Sequence, residues 1–288
     1  MNEKNYGLNL ELEKAHQKET DWLLGAAPVK CIALIPHGER DVYLPKGERQ
    51  NIGEEKMDCA SRAPLNILET KFYWLLKNNL LPLEHNHWLI NNAYVDAETK
   101  RIEFSDAFVA INAKTTREGA SLIAPLEAIR KQGVIPKSLL PQASTFEEHH
   151  DPNRITDAMR KMGEEFVVRF TINYERVAES QFADLLDEDI FDVGGYAWPN
   201  PINGEYPKTG ATPNHAFVIY KKPTYFAFDN YTDPVDGDFT KKLASNYDLI
   251  DFGYRLIISL KPVKKKESIV AVIIAWLKSL FDYNESTK

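Results

Sequence analysis

The chain has 288 residues, of which 43% are hydrophobic and 27% are charged, as is ordinary for a soluble globular protein. The formal net charge of -7 argues against nucleic acid as the main partner, because no broad basic surface can form. Two cysteines, Cys31 and Cys59, could pair, but they are too few for a disulfide-stapled secreted domain. The polar N-terminus has no apolar segment typical of a secretion signal, so we expect a cytoplasmic protein.

The N-terminal part of the chain carries few strong signals. Residues 1–20 are charged and are predicted to form an N-terminal arm or helix in which no chemical motif is evident. The 21–50 segment is rich in proline and glycine, which predicts irregular chain with one short strand at Cys31–Ile35. A polar loop from Gln50 then leads to Cys59.

A helical pattern follows Cys59. Apolar residues recur at steps of three and four, which predicts a helix to about Asn78 whose buried face carries Leu65, Leu68, Phe72 and Leu75. Pro64 is tolerated only in a first turn, so either the regular helix begins nearer Ser61 or its first turn is distorted.

The position of Cys59 has two interpretations. Asp58 and Ser61 are both acceptable N-caps, so Cys59 is predicted to lie at the N-terminus of the helix. The helix dipole and free N–H groups there favour an anion, which would lower the pKa of the thiol and make it a nucleophile. The alternative is a buried structural cysteine.

Helices are predicted in the first half of the chain and strands in the second. The predicted helices are Ser105–Asn112, Ser121–Gln132 and 153–165, and the predicted strands are Phe166–Ile172, His215–Tyr220, Thr224–Asn230 and Tyr254–Leu260. The order indicates an α+β fold. The acidic stretch between Asp184 and Asp192 is predicted to be a solvated loop rather than a calcium site.

His215 is a candidate base because it stands at the entrance to a strand, where backbone is rigid and one side can be open to solvent. If this strand and the next form an antiparallel hairpin, an odd-length loop places Asp229 directly opposite His215 and an even-length loop places Asn230 there. Pro223 disfavours a tight two-residue turn, but loops of either parity remain open. Either residue could fix the tautomer of the imidazole.

The order of Cys59, His215 and then Asp229 or Asn230 resembles that of the papain-like cysteine peptidases. Other segments add to the likeness, which runs from about residue 21 to 260. They are the Glu118–Leu122 segment, similar to the glycine-rich stretch of the family, the Gly133–Pro141 continuation, Asn214–Val218, similar to its Asn/Asp-His-Ala-Val motif, and Phe228–Tyr231, in place of its strand ending in Asn-Ser-Trp.

The resemblance implies a division of the chain. A helical lobe, roughly 51–165, would carry the nucleophile helix and pack on an antiparallel β-sheet or barrel lobe, roughly 166–262. Together with 21–50 these lobes would form the catalytic domain, preceded by the 1–20 arm and followed by a 263–288 tail.

The resemblance also implies roles for single residues. Cys59 would attack the scissile carbonyl, and His215 would be its thiolate partner and then the general acid. Tyr231 best matches the shielding aromatic of the family, which selects Asp229 over Asn230 as the orienting residue.

Two more roles follow from the resemblance. Gln50 would be the oxyanion donor, although it lies nine residues before Cys59, three more than in the family pattern. The backbone at Gly119 would meet an extended substrate. This chain departs from the family in lacking the Cys-Gly-Ser-Cys-Trp box and in placing Arg62 and Pro64 where the family has apolar helix residues.

Neither a metal nor another cofactor is expected. The histidine pairs His85/His87 and His149/His150 lack helical i, i+4 spacing and accompanying cysteines, so they are interpreted as ordinary histidines of polar loops.

The C-terminal tail differs from the rest. A basic hinge at Lys261–Lys266 precedes Ser268–Phe281, an amphipathic stretch too short to span a bilayer. It fits a membrane surface or a partner groove, or else docks on its own domain.

The sequence therefore predicts a cysteine peptidase acting on protein or peptide substrates. The alternatives are a catalytically inactive binding module with the same fold and a Cys–His amidase or transferase acting on cell-wall peptides.

Overall fold

The computed structural model describes residues 5–20, 32–47, 49–208, 212–233 and 237–261, with side chains omitted at 17–20. Cys31 and the predicted amphipathic tail lie outside these ranges. The helices are α1 Leu10–Thr20, α2 Arg40–Tyr43, α3 Cys59–Lys77, α4 Leu83–Asn91, α5 Asp106–Asn112, α6 Ile123–Gln132, α7 Phe146–His149, α8 Asp157–Arg169 and α9 Phe182–Leu185. The strands are β1 Phe170–Ala178, β2 Phe191–Gly195, β3 His215–Lys221, β4 Phe226–Phe228, β5 Thr240–Lys242 and β6 Phe252–Leu260.

The described strands form one antiparallel six-stranded sheet in the order β1-β6-β2-β3-β4-β5. β1 and β6 pair along their whole lengths, from Phe170 opposite Leu260 to Ala178 opposite Phe252. Helix α3 packs on β3. The predicted α+β class is confirmed.

The helix that begins at Cys59 is the centre of the larger hydrophobic core. The four apolar residues of its predicted face are almost completely buried: Leu65, Leu68, Phe72 and Leu75. The helix begins at Cys59 rather than nearer Ser61, so Pro64 lies within it, beyond the first turn. Asp58 occupies the N-cap position without capping through its side chain.

The boundary between helix and strand in the middle of the chain was predicted wrongly. Phe166–Arg169 complete helix α8, and the strand starts only at Phe170. Phe166 packs edge to face on Phe104 and tilted against Phe72, and these aromatic contacts favour the helix over the β propensity of the valines that follow. Val168 is 64% exposed.

The acidic stretch is also different from the prediction. Asp189 is buried and pairs with Lys71 of α3, with Nζ and Oδ1 2.6 Å apart. Asp192 is buried within β2, a central strand that hydrogen-bonds to both β3 and β6. By contrast, residues 32–35 form no strand, so the described part of the strand predicted at Cys31–Ile35 is wrong.

Within the described ranges, no helix combines the length and the apolar character that crossing a membrane requires.

Candidate active site

The thiol of Cys59 lies at the junction of helix and sheet. As the first residue of α3 it is completely buried. The backbone N–H of Ala216, the residue after His215, donates to Cys59 Sγ at 3.4 Å. Packing of α3 on β3 therefore brings the nucleophile and the candidate base of the sequence together.

The imidazole of His215 is held by Asp229. Nε2 of His215 and Oδ1 of Asp229 are 2.6 Å apart. The hairpin register pairs Val218 with Phe228, so neither Asp229 nor Asn230 is directly opposite His215, contrary to the prediction. One step further, Asp229 faces Phe217, two residues from His215 on the same face, and reaches the imidazole diagonally.

The charges around Asp229 fix the tautomer of His215. Burial opposes ionisation of Asp229, but the charges of His215 and Lys241 and the hydrogen bonds hold its pKa at about 2. An ionised carboxylate only accepts hydrogen bonds, so Nε2 carries a proton. Nδ1 is buried without a hydrogen-bond partner in the described chain, so its lone pair can accept a proton.

Asn230, the alternative orienting residue, has a different role. Its Oδ1 accepts a hydrogen bond from Asn66 Nδ2 of α3 at 3.0 Å. The structure therefore brings Asp229, and not Asn230, to His215.

Sequence reasoning missed two residues that contact Asp229. Trp198 Nε1 donates to Oδ2 of Asp229, and Lys241 Nζ lies 3.2 Å from the same oxygen. Trp198 follows β2 and Lys241 is on β5, which pairs with β4. Their approach to Asp229 depends on the order of the strands in the sheet, which a single sequence does not encode. No motif at either position could have revealed them.

Three aromatic rings surround the imidazole edge to face. Their centroids lie between 5.3 and 5.9 Å from that of His215, and they belong to Tyr231, Tyr6 and Trp198. The shielding aromatic predicted at Tyr231 therefore does contact His215, together with two rings that were not predicted.

Gln50 reaches the site despite its longer spacing from Cys59. Its Nε2 lies 2.6 Å from Glu55 Oε1, 2.8 Å from the Tyr231 hydroxyl and 3.0 Å from the carbonyl oxygen of Tyr6. The carbonyl oxygen of Tyr6 thus accepts from the same Gln50 N–H group that a substrate carbonyl oxygen would meet. As the first helical residue, Cys59 adds a backbone N–H without an intrahelical acceptor.

The N-terminal segment 5–16, here called the strap, lies across this site. Tyr6 N–H donates to the carbonyl of Asn214 at 3.0 Å. Ala120 N–H donates to the carbonyl of Gly7 at 2.9 Å, and Asn9 N–H donates to the carbonyl of Ala120 at 2.8 Å. The strap therefore forms a backbone ladder beside the thiol, although no motif in its sequence indicated a place in the site.

Gly119, predicted to meet extended substrate, instead meets the strap. It has φ +89°, and a Cβ built there would lie 2.1 Å from the carbonyl oxygen of Gly7. Gly7 has φ +115°, and a Cβ on it would lie 2.4 Å from the carbonyl oxygen of Met57. Two glycines thus allow the strap to lie directly on the cleft wall.

The thiol does not have the lowered pKa that the helix N-terminus predicts. Burial raises the pKa of Cys59 well above its ordinary value, the Ala216 N–H opposes this, and the charges of Asp58, Asp229 and Glu55 add to it. With the strap in place, desolvation outweighs the helix dipole, so the thiol is protonated.

A second buried cluster lies under the start of α3. Arg62 Nε is 2.9 Å from Asp58 Oδ1, and Arg62 Nη1 is 3.0 Å from Asp106 Oδ2. His149 Nε2 is 3.0 Å from Asp58 Oδ2. Arg62, which departs from the family pattern, is therefore paired with two carboxylates. The interpretation of His149 as an ordinary histidine of a polar loop was wrong, because it is buried against Asp58.

Comparison with known proteins identifies the fold. No family model and no curated protein matches the chain. Among solved structures, xylellain, a cysteine protease from Xylella fastidiosa, aligns over 91% of this chain and 98% of its own with TM-score 0.51 and 16% identity. The cysteine protease and lectin-like domains of Cwp84, a surface layer associated protein of Clostridium difficile, align over 91% of this chain and 62% of their own, with TM-score 0.51 and 10% identity.

The fold is therefore that of papain-like cysteine proteases. The identities show the fold alone, so the activity must be argued from the site of this chain.

Proposed function

We propose that this protein is a cysteine peptidase that hydrolyses peptide bonds through Cys59 and His215. The observation that carries the proposal is the arrangement of His215, whose Nε2 is held by the Asp229 carboxylate while Nδ1 has no hydrogen-bond partner in the described chain, and whose neighbour Ala216 donates its N–H to the Cys59 thiol. A nucleophile, a base and a group that orients the base are the parts that covalent catalysis requires.

The chemistry follows from the atoms of this arrangement. Nδ1 of His215 takes the thiol proton, and Sγ of Cys59 attacks the carbonyl carbon of the substrate. The oxyanion faces Gln50 Nε2 and the Cys59 N–H. The imidazolium then returns its proton to the amine as the C–N bond breaks, which leaves a thioester.

Hydrolysis of the thioester completes the cycle. Nδ1 of His215 accepts a proton from water as the oxygen attacks the carbonyl carbon, and the C–S bond breaks with return of the proton to Sγ. The products are an amine and a carboxylic acid, and no cofactor is needed.

The substrate class follows from the cleft backbone. Ala120 offers one N–H and one carbonyl, and Asn214 offers a carbonyl, all of which pair with backbone groups of the strap. An extended peptide chain has the same groups, so a protein or peptide fits this wall once the strap is absent.

A binding module without activity is the second candidate, and the buried, protonated thiol favours it. Prolonged incubation of the full chain with the epoxide E-64, followed by mass mapping, separates the two. The peptidase requires one adduct on Cys59 that is lost in His215→Ala and retained in Cys31→Ala. It also requires hydrolysis of a peptide mixture that includes cell-wall peptides.

Two results would reject the peptidase. One is an absence of adduct at either cysteine after prolonged incubation, which leaves the binding module. The other is an adduct that disappears in Cys31→Ala but persists in Cys59→Ala. Cleavage restricted to cell-wall peptides would redirect the proposal to an amidase.

A further inference from the structure

The strap is anchored at a second point, away from the thiol. Glu13 of α1 is only 1% exposed. Its Oε2 accepts a hydrogen bond from Ile123 N–H at 3.1 Å, and its Oε1 accepts one from the Tyr254 hydroxyl at 2.6 Å. A buried carboxylate thus ties the strap to α6 and β6.

A second carboxyl group lies on the same face of the sheet. Asp192 of β2 is opposite Tyr254 of β6 in the ladder, so their side chains share a face. Asp192 is fully buried, and both its side-chain oxygens lack a hydrogen-bond partner in the described chain. A native protein rarely leaves a buried carboxyl group in this state, so the position needs an explanation.

The strap covers this face. Gly194, two residues from Asp192 and on its side of β2, has so little room that a Cβ would lie 2.8 Å from Leu8 Cδ2. Leu8 is 4% exposed and belongs to the same core cluster as Val218, the partner of Asp192 on β3. The strap therefore packs on the face of the sheet that carries the Asp192 carboxyl group.

The two carboxyl groups interact electrostatically. Burial raises the pKa of Asp192 well above its ordinary value, and the nearby charge of Glu13 raises it further. Both causes weaken when the strap departs, so the pKa of Asp192 is lower in the open protein.

Other ionisable groups on the surrounding elements have partners of their own. On β1, Tyr174 donates to Glu127 of α6, which also pairs with Arg130 and Lys131. The guanidinium of Arg176 lies over the Phe252 ring, and His16 of α1 bonds to the Ser121 hydroxyl. On β3, the partner facing Asp192 is the apolar Val218.

We propose that the strap closes the peptide cleft and that the carboxyl pair Glu13 and Asp192 is its latch, holding the strap in acid and releasing it as the pH rises. The latch would control access to Cys59 and His215, so this inference rests on the proposed peptidase function.

The sign follows from proton linkage. A group whose pKa is raised in the closed state stabilises that state fully below its open-state pKa. The stabilisation is lost as the pH rises through the closed-state pKa, because the open protein then releases one more proton. One proton per opening allows at most a tenfold change in the opening equilibrium per pH unit.

The experiment measures alkylation of Cys59 by iodoacetamide in the full chain between about pH 5 and pH 9, a window around neutrality in which a raised carboxyl pKa can titrate. Each rate constant is divided by that of Gly7→Ala at the same pH, which removes the common effect of thiol ionisation. In Gly7→Ala the new Cβ meets the Met57 carbonyl at positive φ, so the strap is expelled at every pH and we expect alkylation about tenfold faster or more.

Two carboxyl variants isolate the latch. Asp192→Asn keeps the size of the side chain and removes its charge, so the ratio should stay low and independent of pH. Asp184→Asn removes an exposed carboxylate and is the matched control, for which the ratio should rise with pH as in the unmodified chain.

Several outcomes overturn the proposal. Equal alkylation of the unmodified chain and Gly7→Ala rejects the strap as a barrier, and a rising ratio in Asp192→Asn rejects the latch. Peptide hydrolysis is assayed in parallel. If alkylation of the thiol depends on pH but no peptide is hydrolysed, the proposed function is rejected and the latch is retained. If the unmodified chain and Gly7→Ala hydrolyse peptides equally at every pH, the latch is rejected and the proposed function is retained.

Hydrogen exchange guards against a variant that does not fold. In the unmodified chain, protection of the Tyr6, Asn9 and Ala120 amides, normalised to intrinsic exchange, should fall as the pH rises. Protection that is independent of pH would also reject the latch.

Discussion

Two buried histidine–carboxylate pairs lie near the start of α3. His215 and Asp229 come from the sheet, whereas His149 and Asp58 lie under the helix. In both, Nε2 of the histidine meets the carboxylate. The difference is at the other ring nitrogen, since Nδ1 of His149 accepts a hydrogen bond from Ala143 N–H at 3.4 Å and Nδ1 of His215 has no hydrogen-bond partner in the described chain.

The carboxylates also differ in their cations. Burial opposes ionisation of Asp58, but Arg62 and His149 hold its pKa below its usual range. Arg62 is fixed in the helix by a second carboxylate, Asp106. The two pairs therefore differ at Nδ1, and the histidine proposed as the base is the one whose Nδ1 has no hydrogen-bond partner in the described chain.

The largest expected effect is the difference in activity between variants of the two histidines. His215→Ala should lower kcat/KM for peptide hydrolysis about 10³-fold or more, because it removes the group proposed to accept the thiol proton. His149→Ala should leave kcat/KM per folded molecule within about tenfold, since a residue that only supports packing acts on stability. Steady-state kinetics normalised to the concentration of folded protein measures both, and equal losses would contradict the distinction.

The next effect concerns the structural carboxylate. Asp58→Ala should lower the free energy of unfolding by about 3 kcal/mol, because it leaves the buried Arg62 guanidinium with one carboxylate fewer. Urea denaturation measures this change. Arg62→Met is the control, since it removes the cation with its carboxylate partner left in place. A loss under about 1 kcal/mol in Asp58→Ala would show that Asp106 alone satisfies Arg62.

The carboxylate proposed to orient His215 should behave differently. Asp229→Ala is expected to lower kcat about 10²-fold with little change in KM, because the imidazole loses the group that fixes its tautomer. Asp229→Asn should recover part of this loss, since an amide oxygen still accepts from Nε2–H. If KM rises while kcat is unchanged, Asp229 binds substrate rather than orienting His215.

The smallest expected effect is a loss of folding stability in acid, caused by protonation of Asp229. Asp229 has its pKa lowered to about 2, so its stabilisation is complete above its unfolded pKa and is lost as the pH falls towards 2. This carboxylate should contribute about 2 kcal/mol, and the free energy of unfolding should decrease below about pH 4. Asp229→Asn should flatten that decrease in urea titrations; an unchanged acid limb would assign it to other groups.

The parts of the fold that the sequence predicted are those with local signals. The apolar spacing after Cys59 predicted α3, and the alternation after His215 predicted β3. Their meeting depends on packing between distant segments, and the resemblance to a known family supplied it. The parity of the hairpin loop stayed open from the sequence, and the resemblance selected Asp229. In the structure Asp229 meets His215 in a register two residues from the predicted one.

The parts that were missed are contacts between backbone groups or isolated side chains. The strap binds through the N–H and carbonyl groups of Tyr6, Gly7 and Asn9, which every sequence possesses. The strand β2 has only five residues and contains Asp192 and two glycines, so no alternating pattern reveals it. Burial of the thiol, which reverses the expected pKa shift, is a property of the assembled cleft.

One buried lysine ties helix α3 to the sheet. Lys71 lies twelve residues beyond Cys59 on α3, a distance of about 18 Å along the axis. Its ammonium group donates to the Leu256 carbonyl of β6 and to Asp189, while Cys59 Sγ accepts from β3 at the other end. Helix α3 is thus hydrogen-bonded to the sheet at two points that are far apart along its axis. These contacts oppose separation of the helix from the sheet, so the proposed opening of the cleft moves the strap and leaves Cys59 and His215 in place.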